Sequence, residues 1–346
     1  MAVEAPASEA ELDDLLSRPG EALVRDLARL PGDIAILGVG GKMGPTLARL
    51  ARRAADLADG GRNGRRIIGV SRFSEADLPA ALHAAGVETH VCDLLDPAAV
   101  QELPDAPNVI FMAGRKFGST GGEALTWAMN SYVPALVARR YPDSRIVVFS
   151  SGNVYPLVPV LSGGATEQTS PAPVGEYAQS VLGRERMFEH FSRQLGMPAV
   201  ALRLNYAIDL RYGILLDVAQ QVLAGEAIDV TMGHVNVIWQ GDANAIALRA
   251  LALASSPPTV LNLTGPETVS IRRLAERFGA LLEVEPRFTG VEAETALLNN
   301  AGQCHRRFGY PTVPLEQMVE WVAHWVQAGA KTLGKPTHFQ EREGRF

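Results

Sequence analysis

The stretch GVGGKMG offers the clearest chemistry. Gly38, Gly41 and Gly44 stand at three-residue spacing between an apolar run, DIAIL, and a segment of helical pattern. Glycine tolerates the positive φ that a tight strand-to-helix turn requires, and its missing side chain lets a ligand approach the backbone. The start of the following helix offers unpaired N–H groups and partial positive charge, which suit phosphate. Pro45 fits that first turn, where its absent N–H costs little. The pattern predicts a cradle for the pyrophosphate of a dinucleotide, built from Gly38, Gly41, Lys42, Met43 and Gly44. The next apolar run, IIGV, ends in Ser71-Arg72. A carboxylate there would hydrogen-bond the adenosine ribose of NAD, whereas a basic residue accommodates the 2′-phosphate of NADP. Arg72 stands there without a carboxylate, and Lys42 reads as a second positive charge nearby, so NADP is expected in preference to NAD.

Such a loop works only if strands and helices alternate around it, and from Asp33 onward they do. DIAILGV, RRIIGVS, THVCDL, NVIFMAG and RIVVFSS read as strands. GPTLARLARRAADLAD, ALTWAMNSYVPALVARR and EYAQSVLGRERMFEHFSRQL read as helices between them. Near-continuous apolar strands in βα alternation predict an α/β fold, a Rossmann-type doubly wound parallel sheet, with a smaller C-terminal substrate lobe. Residues 1–32 read as a helical packing arm broken at Pro19-Gly20, and residues 33–205 as the NAD(P)-binding domain. Residues 206–330 read as mainly a substrate lobe with returning sheet elements, and residues 331–346 as a polar, loosely held tail.

Bulk properties narrow the function classes. A net charge of -6 without a basic tract gives no electrostatic case for nucleic acid. No apolar run reaches the ~20 residues of a membrane span, and the N-terminus lacks a signal-peptide core. Cys92 and Cys304 are too few and too distant for a disulfide framework or a zinc site. A cytoplasmic location is expected, and with no ligand spacing among His234, His305 and the other histidines, no metal.

Several motifs in order resemble the extended short-chain dehydrogenases/reductases, the NAD-dependent epimerase/dehydratase family, over about residues 33 to 325. GVGGKMG resembles the family's glycine loop, and CDLLDP its third-strand segment, which places Asp93 and Leu94 against adenine by resemblance. FMAG resembles the fourth-strand stretch along the cofactor, here Ala113 and Gly114, and WAMNSYVPALV the helix carrying the family's asparagine, here Asn130. VVFSSGNVYP resembles the strand that ends in the catalytic serine, here Ser151, four residues before Tyr155. RLNYAID resembles the segment that brings Asn205 toward nicotinamide and substrate, and IWQGDANAIALRAL the one in which Asp242 opens a helix. The resemblance implies a hydride-transferring oxidoreductase or epimerase acting on a hydroxyl of a sugar or sugar-like substrate. Tyr177 would be its acid and base, Ser151 and Asn153 would meet the substrate, and two long helices would pair in a homodimer.

One departure stands out. Tyr177, Ser180 and Glu185 match the family's pattern, but Val181 occupies the place of its lysine. A phenol with a pKa near 10 is a poor base at neutral pH, and a cation nearby lowers that value by ~1–3 units. Lys116, in AGRKFGS, is the first candidate to supply the charge and also to meet substrate. That segment resembles one in UDP-galactose epimerases and follows the fourth strand to the sheet's carboxyl edge. Arg184 is the second, on the same helical face as Tyr177 but ~10.5 Å along the axis. His305-Arg306-Arg307 reads as a solvated basic turn. The missing lysine also opens an alternative, a non-catalytic NAD(P)-binding sensor.

Overall fold

A computed structural model describes residues 4–61 and 64–345. Seven parallel strands form its central sheet: β1 Ile34–Leu37, β2 Ile67–Ser71, β3 Glu88–Val91, β4 Asn108–Phe111, β5 Arg145–Ser151, β6 Ala199–Leu204 and β7 Thr259–Leu263. Their order is β7-β6-β5-β4-β1-β2-β3. The interior strands β1 and β4 are buried at every residue, as a sheet covered on both faces demands, whereas edge strand β3 is largely polar and partly exposed. The chain leaves β1 toward β2 on one side, and β4 flanks β1 on the other. Their carboxyl ends therefore open a crevice at this switch of direction, the usual ligand position in such sheets.

Helices cover both faces. The glycine-loop helix Gly44–Ala58 packs on one face beneath Gln240–Ala250, with Ile36, Leu47, Val200 and Leu261 in a shared core. On the other face, Val133–Arg140 and the long helix Gly175–Leu195 enclose Val109, Phe111, Val148 and Phe188. The long helix ends at Gly196 with φ +76°, the left-handed stop that glycine permits. A third core belongs to the lobe, around Ile214–Leu223, Ile271–Leu282 and Leu315–Gln327. No described helix is long and apolar enough to cross a membrane.

The N-terminal arm joins two of these cores. Helix Glu9–Leu16 sends Leu12 and Leu16 into the lobe core, and helix Glu21–Ala28 sends Leu23 and Leu27 into the sheet core. The C-terminal tail corrects the expectation of a loosely held segment. Thr337 gives its N–H and hydroxyl to Asp217, Phe339 is buried, and the Arg342 guanidinium donates to the carbonyl and hydroxyl of Thr295. Farther on, Gly344 packs against Gly175 at the start of the long helix. The tail's average polarity hides these anchors.

Leu27 is 1% exposed in the sheet core. Leu27→Ala should cost about 2–5 kcal/mol of stability, lost transfer energy plus a residual cavity. Equilibrium urea unfolding checks this: a midpoint unchanged from the parent would mean the arm is dispensable.

Candidate active site at the carboxyl edge of the sheet

The glycine loop is shaped by close approaches rather than by flexibility. Gly38 has φ +96°, and a Cβ there would lie 2.6 Å from the Ala113 nitrogen. The end of β1 is thus pressed against the end of β4. Gly40, which the three-residue spacing passed over, would set a Cβ 2.5 Å from the Ser71 hydroxyl. A Cβ on Gly44 would run into the Val39 carbonyl. No side chain caps helix Gly44–Ala58, so its first N–H groups face the loop uncapped, and Pro45 sits in its first turn. A bare backbone cradle leading into an uncapped helix start fits a dinucleotide pyrophosphate.

Beside it, Arg72 is well exposed, with its guanidinium 4.0 Å from Asp93. Asp93 accepts the Leu95 N–H, and Leu94 is buried. Lys42 does not join Arg72. Its ammonium turns toward the lobe, 3.3 Å from the Tyr212 ring centroid and 4.2 Å from that of Phe117. Aromatic rings distant in sequence draw it in, and it therefore stands apart from the end of β2 where Arg72 lies.

The candidate proton-transfer groups meet at the end of β5. Ser151 donates to Asn153 Oδ1 at 3.0 Å, accepts the Asn153 N–H, and is hydrogen-bonded to Tyr177. Tyr177 lies in the first turn of the long helix. Burial raises its pKa, opposed by the positive charge of Arg184 and by the Ser151 hydrogen bond. Val181, one turn on, packs with Val154, Tyr155 and Ala165. Tyr155 is a core residue whose hydroxyl donates to Asn262.

Arg184 lies buried under this group. Its Nη1 donates to the Phe149 carbonyl at 2.6 Å and its Nη2 to Asn130 Oδ1 at 2.8 Å. A Cβ on Gly114 would coincide with that guanidinium. Asn130 is held in a π-helical turn, Ala128–Tyr132, between Glu123–Trp127 and Val133–Arg140. Its amide also binds the Arg115 N–H and C=O and the Ser180 hydroxyl, so all of its hydrogen-bonding groups have protein partners. Lys116 stands over the Tyr177 ring at 5.8 Å and the Phe117 ring at 5.6 Å.

Tyr206, Tyr212 and Asp217 complete the lobe side, and motif spacing missed all three. Burial raises both phenols' pKa values and that of Asp217, the latter opposed by the Thr337 hydrogen bonds. Tyr206 has φ +36°, a conformation L-residues rarely adopt, where the chain leaves β6. His338 of the tail faces Phe117 at 6.2 Å. Asn205 is buried and donates to the Leu297 carbonyl. Asp242, in the first turn of Gln240–Ala250, accepts from Thr312 and Val313 and so pins a loop. His305, midway along helix Gly302–Phe308, contacts the Thr264 carbonyl.

Residues 34–208 match the model of the NAD dependent epimerase/dehydratase family. No curated protein sequence matches the chain. Among solved structures, UDP-glucose 4-epimerase of Thermotoga maritima, crystallised with UDP-glucose, is 15% identical with a TM-score of 0.70, covering 86% of this chain and 99% of its own. The dTDP-glucose 4,6-dehydratase of Streptomyces venezuelae, with NAD bound, is 16% identical with a TM-score of 0.71, covering 85% and 97%. UDP-glucuronic acid 4-epimerase of Bacillus cereus, with UDP-glucuronic acid and NAD, is 15% identical with a TM-score of 0.68, covering 85% and 99%. These likenesses show a shared fold.

Burial, together with the neighbouring charges of Lys116 and Lys335, lowers the pKa of Lys42 from 10.5 to about 7. Between those values the folded chain binds fewer protons than the unfolded chain, so stability rises with pH across that window. Lys42→Met should therefore raise the melting temperature most below pH ~7, with the gain fading by pH ~10. Calorimetry across that range checks it, and a gain independent of pH would contradict the burial of the ammonium.

Proposed function

Since the chain belongs to the NAD-dependent epimerase/dehydratase family and is an enzyme of it, we propose that it transfers a hydride between a nicotinamide cofactor and a hydroxyl-bearing carbon of a sugar or sugar-like substrate. The Tyr177–Ser151 pair carries this reading, because it sets an ionisable phenol at the carboxyl edge of the sheet beside the cradle. Bound NAD(P) would supply the hydride acceptor. Tyr177 would take the hydroxyl proton as the carbon gives up its hydride, and return it in the reverse step. The Ser151 hydroxyl would turn from Asn153 Oδ1 to donate its hydrogen bond to the reacting oxygen, and Lys116 would meet the substrate from above the Tyr177 ring.

Gly38, Gly41, Met43 and Gly44 would cradle the pyrophosphate. Ser71, Arg72, Asp93 and Leu94 would surround the adenosine, and Ala113 and Gly114 would line the path toward nicotinamide. Arg72, with no carboxylate at the end of β2, supports NADP over NAD. Asn205 and the lobe would bound the substrate. Leu125, Trp127 and Tyr132 remain exposed on the helices that would form a homodimer interface. UDP-glucose and UDP-glucuronic acid occur in the similar structures, which makes nucleotide-linked sugars the first substrates to try.

Nucleotide released on denaturing the purified protein, measured by mass spectrometry, is expected to be NADP or NAD near one per chain. Protein that is isolated empty and binds neither in a titration would refute the reading. Arg72→Ala should weaken NADP binding about tenfold or more while leaving NAD nearly unchanged, since one phosphate contact is worth ~1.5–3 kcal/mol.

Tyr177→Phe should keep the nucleotide but lower turnover of the sugar that proves to be substrate by about 10²–10⁴-fold. Reduction of the bound nicotinamide under single-turnover conditions reports it, and a variant as fast as the parent would remove Tyr177 from the chemistry.

A further inference from the structure

We propose that Arg184 is the positioning residue that supplies Tyr177 with the positive charge the family draws from a lysine, here Val181. The proposal rests on Tyr177 being the proton carrier. It stands first on geometry. Val181 is buried in an apolar cluster with Val154, Tyr155 and Ala165, and supplies no charge. Arg184 lies on the same helical face as Tyr177, and its long side chain shortens the axial separation.

The guanidinium is buried yet fixed in one place. Phe149 C=O and Asn130 Oδ1 hold two of its nitrogens, and its face lies 5.4 Å from the Phe111 ring. Gly114 leaves the space it fills at the carboxyl end of β4. Asn130 links the two ends of the arrangement: it accepts from Arg184 and donates to Ser180 Oγ, which donates to the Tyr177 carbonyl. Burial, opposed by Tyr177 and Glu185, lowers the pKa of Arg184 to about 10, so the group stays charged at neutral pH.

Other ionisable groups also face Tyr177. Lys116 approaches from the loop after β4, and Tyr206 and Tyr212 from the segment after β6. The positive charge of Arg184 lowers the Tyr177 pKa against burial, with the Ser151 hydrogen bond beside it. Lys116 lies over the Tyr177 ring, 5.8 Å from its centroid.

The experiment places 3,5-difluorotyrosine at position 177 of the full chain, which brings the phenol into an accessible pH range, and follows its titration by fluorine NMR. No substrate or cofactor is added, so this result and the nucleotide assay can fail separately. Arg184→Met should raise the midpoint by about one pH unit or more, a tenfold or greater loss of acidity. Arg184→Lys should restore most of it. Gly114→Ala, which evicts the guanidinium without removing a charge, should raise the midpoint in the same direction. Lys116→Met should move it less than either. An unchanged midpoint in Arg184→Met, or a larger shift in Lys116→Met, overturns the proposal. If Arg184→Met does not fold, Gly114→Ala against Lys116→Met decides it by the same comparison.

Discussion

The Glu185–Arg203 ion pair fixes everything at the carboxyl edge. Arg203 reaches Glu185 with two nitrogens, at 2.9 and 2.7 Å, and both side chains are almost wholly buried. Removing two charges from water costs several kcal/mol each, and only close geometry with further hydrogen bonds offsets that. Here the Ser150 hydroxyl adds a 2.5 Å bond to the carboxylate, and the Tyr155 ring stacks 4.7 Å from the guanidinium. Burial lowers the Arg203 pKa, but Glu185 outweighs it and holds the group charged. The pair joins the long helix to β6, and Ser150 joins it to β5. Slipping the helix by one residue would leave a buried carboxylate unpaired, so the helix has one register. In that register Tyr177 falls beside Ser151, and Arg184 lies beneath both.

The same pair sets what else the site can contain. Glu185 neighbours Arg184 in sequence and also helps keep it protonated. One carboxylate therefore faces two buried guanidinium groups, and the remaining positive charge lies on the Arg184 side, toward the phenol. A lysine at 181 would add a third cation to a region with a single buried anion. Valine at that position, filling an apolar pocket, is consistent with the charge balance rather than a simple loss.

Much of this was legible in the sequence. The glycine loop, the strand-helix alternation and the positions of Ser151, Tyr177 and Glu185 depend on local periodicity and short spacings, which a sequence displays directly. Arg184 was legible only as a helical offset, because axial distance measures backbone and not the reach of a guanidinium. Asn130 was legible as a position but not as the hub it forms, since a π turn sets which way its amide points. The direction of the Lys42 side chain was not legible, because it depends on Tyr212, 170 residues away, and on Phe117. The tail's anchoring likewise depends on partners that no local pattern reveals.

Those distant partners share a physical task. Lys42 and Lys116 come from the sheet side and Asp217, Tyr206 and Tyr212 from the lobe, and burial opposes the charged form of each. Asp217 accepts two hydrogen bonds from Thr337, which favour its charged form, so the tail supports a carboxylate that offsets two nearby ammonium groups. Both lysines lie against aromatic rings, which attract a cation without neutralising it. A cleft built this way holds its lysines against aromatic rings with the Asp217 carboxylate nearby. Lys116 thereby brings positive charge to the Tyr177 ring, beside which a substrate oxygen would have to develop negative charge.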